Sequence, residues 1–199
     1  MSRTALIVID VQESFRVRPS WQATTRPDIA GRVDRLVRAA RDRGDLVVWV
    51  LHTEPSTGGA FDPAQGHVRL MEGLEAEPTE PVITKTSHNA FTTTNLQQLL
   101  TRRGITQLVI CGIRTEQCCE TTTRVASDFG YDVVFVTEAT ATTPLPHWTL
   151  PADTTLDEIL ADPRTLSPEI VTDRTEYALA GLFATIRTLD EVIAVPVPS

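Results

Sequence analysis

The sequence predicts an α/β fold, a single doubly wound parallel β-sheet of about six strands with helices on both faces. Three observations lead there. Short continuous apolar runs at residues 5–9, 46–51 and 107–111 have the composition of strands buried on both faces. Helical stripes alternate with them, in strand–helix units of about 30 residues or more, the length that right-handed crossovers between parallel strands need. The first two runs end in side chains with chemistry, Asp10 and His52, as the short strand at 82–85 does in Lys85.

Taken in order, residues 5–9 form the first strand and stop at Asp10. Residues 28–43 carry Ile29, Val33, Leu36, Val37 and Ala40 at spacings of three and four, which predicts an amphipathic helix stopped by Gly44. Residues 46–51 are the second strand. A stretch rich in Gly and Pro leads to a short strand at 82–85. Thr94 or Asn95 caps a helix carrying Leu96, Leu99 and Leu100, which Gly104 ends. Residues 107–111 are the next strand, 115–129 a helix with Thr115 as N-cap, and 131–136 another strand. Residues 144–168 hold five prolines around a short helix at 156–161. A last helix is expected at 174–187 and a last strand at 189–195. No linker separates two cores, so residues 1–199 are expected to form one domain, with 144–168 an excursion from it.

Composition narrows the function. The 199 residues carry 18 Lys and Arg against 26 Asp and Glu, a net charge of −8, which argues against a general nucleic-acid or anionic-membrane surface. Three cysteines, two of them adjacent, make no disulfide framework and suit a reducing compartment. No CxxC pair points to structural zinc. The first apolar run is too short for a signal peptide or a membrane span, so a cytoplasmic protein is expected.

An open parallel sheet binds its ligand at the carboxyl ends of its strands. That rule selects Asp10, His52, Lys85, Glu138 and the segment from Cys111 to Cys118. With Thr115 as N-cap, Cys118 falls at the third helical position, where unpaired amides and the helix dipole favour a thiolate. Lys85 is placed to stabilise an anion and Asp10 to accept a proton. An isolated cysteine there is more often a packing residue, but three convergent groups reverse that preference. Cys111 ends a buried strand and is assigned to the core. Cys119, one helical step away from the face of Cys118, is assigned to packing in preference to a redox pair.

These residues resemble a family. Ile7-Val8-Ile9-Asp10-Val11-Gln12, Lys85 with Asn89-Ala90-Phe91 and Thr94-Asn95-Leu96, and Cys111-Gly112-Ile113-Arg114-Thr115-Glu116-Gln117-Cys118 occur in the order and spacing of the isochorismatase-like cysteine hydrolases. So do Ala126, Gly130-Tyr131 and Thr137-Glu138-Ala139-Thr140. The resemblance covers the chain to about residue 140. It implies an Asp10–Lys85–Cys118 triad hydrolysing an amide, ureido or carbamoyl C–N bond through an acyl-enzyme on Cys118. It also implies a cis peptide at Ile113–Arg114 and an oxyanion hole built from the N–H groups of Arg114 and Cys118. A homo-oligomer, dimer or tetramer, is the family's habit.

Nicotinamidase-type members hold a metal with an Asp-x-His segment after the second strand and further histidines. Here that segment reads Leu51-His52-Thr53-Glu54, and the next histidine is His67, so no metal and no other cofactor is expected. The substrate is expected to be a small molecule lined by Gln12, Phe15, Phe91 and Arg114, with Trp21, His147 and Trp148 as further candidates. The Arg114 guanidinium has two readings, a fork for a substrate carboxylate or an internal pair with Glu116 or Glu138. His88 and His147 read as surface residues. A vinyl-ether hydrolase of the same fold and a catalytically silent binding member are the competing functions; Cys118 counts against the first and the complete triad against the second. A nucleotide-binding fold is disfavoured because the segment after Asp10 holds no glycine.

Overall fold

The computed structural model describes residues 3–195. Six parallel strands, β1 (Thr4–Ile9), β2 (Leu46–His52), β3 (Val82–Lys85), β4 (Gln107–Ile113), β5 (Asp132–Ala141) and β6 (Thr185–Ile186), form one sheet in the order β3-β2-β1-β4-β5-β6. The chain winds outward from β1 through β2 to β3, then returns to pair β4 on the other side of β1 and continues to β5 and β6. The crevice where the order reverses therefore lies between the carboxyl ends of β1 and β4.

Alternate residues of each strand face opposite layers, and both layers are dry. Leu6, Val8, Val47, Trp49, Val109 and Cys111 pack under helix α2 (Ile29–Arg43), whose stripe of Ile29, Val33, Leu36, Val37 and Ala40 is buried as expected. Ala5, Ile7, Ile9, Val48, Val50, Leu108 and Ile110 face the other layer, with Leu96, Leu100, Ala126 and Leu179. Those four come from α3 (Leu96–Arg102), α4 (Glu120–Asp128) and α6 (Pro168–Leu179). Two short helices complete the set: α1 (Glu13–Arg16), whose Phe15 joins the layer under α2, and α5 (Leu156–Ala161), which buries no residue. Each fully buried large side chain contributes about 1.5–3 kcal/mol, so β1 and β4, which flank the crevice, are heavily stabilised, while β3 is a short edge strand.

Several elements differ from expectation. The segment after β4 opens with a π-helical turn, Thr115–Cys119, with Arg114 and not Thr115 as its cap, before α4 begins at Glu120. β5 continues through Glu138 to Ala141, five residues beyond the expected end at residue 136, after a register shift against β4 between Ile110 and Gly112. The expected helix at 174–187 is instead α6, begun by the Ser167 cap and Pro168, and it stops at Leu179. Leu182 consequently lies exposed and Ile186 sits in β6. Residues 189–193 are a helix, α7 (Leu189–Ile193), and not a strand. Thr188 and Glu191 form a reciprocal capping box there, which satisfies two orphan amides that a strand would leave to an edge partner. The excursion closes on itself by mutual hydrogen bonds between Leu145 and Leu166, both 3.0 Å.

Where β1 and β4 approach the crevice, space decides the residue. A Cβ on Gly112 would stand 1.9 Å from the Ile9 carbonyl oxygen, and Gly112 has φ +131°. Gly112→Ala is expected to cost at least about 3 kcal/mol through clash and backbone strain together, read as a fall in the urea midpoint.

Candidate active site

The carboxyl edge of the sheet brings Asp10, Lys85 and Cys118 together. Asp10 follows β1 directly and adopts φ +54°, a conformation Asp tolerates better than most residues, with its N–H donating to the Val50 carbonyl at 2.8 Å. Lys85 is the last residue of β3, paired in register with His52 at the end of β2. Cys118 lies in the π-helical turn, where the Cys119 N–H reaches back five residues to the Arg114 carbonyl at 3.2 Å. Such wide turns recur at functional sites because they aim a side chain that an α-helix would point elsewhere. The peptide Ile113–Arg114 is cis.

Lys85 Nζ stands 2.7 Å from Asp10 Oδ2 and 3.4 Å from Cys118 Sγ. Asp10 and Lys85 are wholly buried, while Cys118 keeps 6% exposure and is the triad member that meets solvent. The ion pair neutralises two charges that could not otherwise be carried without water. Asp10 Oδ2 faces the Lys85 ammonium, and Oδ1 has no hydrogen-bond partner among the described residues, which leaves it open to a proton from the sulfur.

Burial raises the Asp10 carboxyl above the ordinary carboxylate value, with Lys85 opposing it. The Cys118 thiol is pushed up to about 12, first by burial and then by the Asp10 charge, against the pull of Lys85. The resting state is therefore a neutral thiol beside an ion pair. The expected thiolate at a helix start is opposed on two counts: Cys118 sits in a π-helical turn and not at the third position of an α-helix, and burial, then the Asp10 charge, disfavour its ionised form. Cys111 and Cys119 are fully buried, and burial raises both thiols as well. Both lie in the packed layers, as their assignment to core and packing required.

Residues 11–14 pin the loop after β2 across this edge. The Met71 N–H donates to the Val11 carbonyl, Ser14 Oγ to the His67 carbonyl, and the Glu72 N–H to Glu13 Oε1. Phe61, carried by that loop, packs edge-on against Phe15 at 5.0 Å and against the His52 ring at 5.4 Å. Phe15 is thus joined to His52 through Phe61.

Gln12 and Phe91, expected to line the substrate pocket, are placed otherwise. The Gln12 amide is buried and spent on its neighbours: Oε1 accepts from the His52 N–H at 2.7 Å, and Nε2 donates to the His52 carbonyl and Ser14 Oγ. It clamps β2 to β1. The Phe91 ring packs on Phe129 and Tyr131, at the far end of α4 from Cys118. The two readings of Arg114 also separate. Its Nη2 pairs with Glu116 Oε1 at 3.2 Å and donates to the Thr143 carbonyl, and its Nε donates to Thr142 Oγ1. The fork is committed internally and ties the turn carrying Cys118 to the end of β5. Glu138, inside β5, accepts from the Leu189 N–H at 2.7 Å and so positions α7, away from the triad. Trp148 is exposed on the excursion, and His88 is exposed.

His52, selected at the end of the second strand but assigned no role there beyond a rejected metal ligand, lies beside Lys85. Its Nδ1 lies 3.3 Å from Lys85 Nζ and its Nε2 3.3 Å from Glu54 Oε1. With both ring nitrogens engaged, it offers no lone pair for a metal. Among the described residues, no group of three His, Cys, Asp or Glu side chains is arranged to hold one.

A family model described as the isochorismatase domain matches residues 4–154. The chain belongs to the isochorismatase family. Streptothricin hydrolase of Streptomyces noursei is 36% identical over 143 residues, 71% of this chain and 56% of that protein. A probable inactive nicotinamidase of Arabidopsis thaliana is 34% identical over 164 residues, 72% of this chain and 84% of that protein. Among solved structures, an isochorismatase of Pseudomonas putida superposes with a TM-score of 0.79 at 29% identity, covering 95% of this chain and 89% of that one. The family comprises hydrolases, and its members differ in bond and in whether activity is retained.

The geometry orders the three thiols. Cys118 should be alkylated by iodoacetamide before Cys111 and Cys119. Its rate at pH 7 should be below that of an unperturbed cysteine and climb through the alkaline range, with Lys85→Met slower still. Peptide mass spectrometry of timed samples reads all three sites, and equal labelling would contradict the arrangement.

Proposed function

We propose that the protein is a metal-independent cysteine hydrolase that cleaves the C–N bond of a small amide, ureido or carbamoyl compound. The observation that carries this reading is the buried cluster in which Lys85 Nζ touches both Asp10, at 2.7 Å, and Cys118, at 3.4 Å. Asp10, its basicity increased by burial, takes the Cys118 proton as Sγ attacks the substrate carbonyl. Negative charge then moves from the carboxylate to the sulfur and on to the carbonyl oxygen, with Lys85 adjacent to both of the first two positions. The backbone N–H groups of Arg114 and Cys118 are assigned to that oxygen. Protonated Asp10 gives its proton to the leaving nitrogen, the C–N bond breaks, and a thioester remains on Cys118. Asp10 next takes a proton from water, which attacks the thioester, and the returning proton restores the thiol as the acid departs.

The complete cluster supports activity over a silent binding role, and the presence of Cys118 supports this chemistry over vinyl-ether hydrolysis. The committed Arg114 fork supports a substrate recognised through its carbonyl and leaving nitrogen. A substrate carboxylate would have to displace Glu116 from the guanidinium.

Acetamide, benzamide, nicotinamide and N-carbamoylglycine form a first panel, with ammonia release as the readout and Cys118→Ser as control. On the substrate found, Asp10→Asn is expected to lower kcat by about 10²–10⁴-fold, the usual worth of a general base, with KM little changed. Asp10 works as its carboxylate, and its pKa is raised above 3.8. The wild-type rate should thus fall as pH drops through a value higher than that of a free aspartate. Wild-type turnover in Asp10→Asn would remove it as the base.

A further inference from the structure

We propose that His52 is a positioning residue for Lys85, holding the ammonium so that its remaining two protons point at Asp10 and Cys118. The proposal deepens the catalytic reading of Lys85 and rests on it. A buried ammonium has three N–H donors and needs three acceptors. Lys85 is wholly buried, and its Nζ has three polar neighbours: Asp10 Oδ2 at 2.7 Å, His52 Nδ1 at 3.3 Å and Cys118 Sγ at 3.4 Å. The tetrahedral group is thereby used up. With one proton engaged by His52, rotation about the Cε–Nζ bond is stopped, and the other two directions go to the base and the nucleophile.

An ammonium can only donate, so this arrangement assigns the imidazole tautomer. Nδ1 carries the lone pair and Nε2 carries the hydrogen, which points to Glu54 Oε1 at 3.3 Å. Glu54, His52 and Lys85 form a chain that ends at the two reacting side chains. The imidazole is held from every side. Its backbone N–H and carbonyl are both bonded to the Gln12 amide, at 2.7 and 3.0 Å. Its Cα is in register with that of Lys85, and Phe61 packs edge-on against the ring. This gives Gln12 a task in the same device.

The charged groups facing the ring are Lys85 on β3, Asp10 after β1 and Glu54 on its own loop. A second proton on the ring would remove the acceptor and set two cations 3.3 Å apart. Consistently, burial and the Lys85 charge lower the His52 pKa below 6.5, outweighing Asp10 and Glu54.

Nitrogen-15 NMR of the imidazole tests the contact on the intact protein without a substrate. Near pH 7 the expected spectrum shows Nδ1 unprotonated and Nε2 carrying hydrogen, with the ring titrating below 6.5. Lys85→Met should shift the Nδ1 resonance and raise the ring pKa. The opposite tautomer in the wild-type protein, which needs no variant to fold, would overturn the proposal. Kinetics on the panel substrate test the consequence. His52→Ala is expected to lower kcat by about 100-fold, the order expected for a misplaced catalytic group, with KM within about twofold. His52→Asn, whose amide oxygen takes the place of Nδ1, is expected to recover most of that loss. Inactive Asp10→Asn and Cys118→Ser beside a fully active His52→Ala would defeat the positioning role alone. Activity retained in Cys118→Ser would instead defeat the catalytic reading beneath it.

Discussion

Asp10 and Lys85 meet 2.7 Å apart at the carboxyl edge of the sheet with no exposure to solvent, and the surrounding architecture follows from keeping that pair intact. Removing an ion from water costs several kcal/mol even after relaxation, so two buried charges persist only where attraction and further hydrogen bonds offset that cost. The two residues come from strands separated by β2: Asp10 follows β1, an apolar run packed on both faces, and Lys85 ends the short edge strand β3. The dry layers on either side therefore supply rigidity, and the strand ends supply position. Cys118 is added as the group whose proton the pair can move. Burial first, and the Asp10 carboxylate second, hold its thiol in the neutral form.

Two backbone features let the third member arrive from β4. The clearance between Gly112 and the Ile9 carbonyl allows the strands to close up at the crevice, and the π-helical turn changes the pitch at which Cys118 leaves the strand. Arg114 fastens this turn to Glu116, Thr142 and Thr143, so the backbone that carries Cys118 is tied into the end of β5. Gln12 performs the corresponding service on the other flank by fastening β2 to the residues after β1.

Strands β1, β2, β4 and β5 and helix α2 were legible because double burial leaves a continuous apolar run, and single-sided burial a stripe at spacings of three and four. Asp10, Lys85 and Cys118 were legible for a different reason: strand ends in a parallel sheet share one edge whatever their order in the chain. The limits are physical. A π-helical turn is a shift of one backbone acceptor and leaves no mark on residue choice. A two-residue strand such as β6 is too short to show a period. The capping box of Thr188 and Glu191 was present in the sequence, but the apolar residues after it imitate a strand. Side-chain direction outside regular elements has no periodicity to reveal it, which is why Gln12 and Phe91 turned from expected pocket residues into packing and clamping ones. The ionisation of Cys118 depends on burial and on a carboxylate 108 positions earlier in the chain. Neither is local to the cysteine.

Trapping the bond between substrate and sulfur tests the account most directly. Mass spectrometry of acid-quenched turnover, with a small amide found by ammonia release, should show an acyl increment on the peptide containing Cys118 and on neither Cys111 nor a Cys118→Ser chain. Undiminished turnover by Cys118→Ser, with no increment on any cysteine of the wild-type protein, would contradict it.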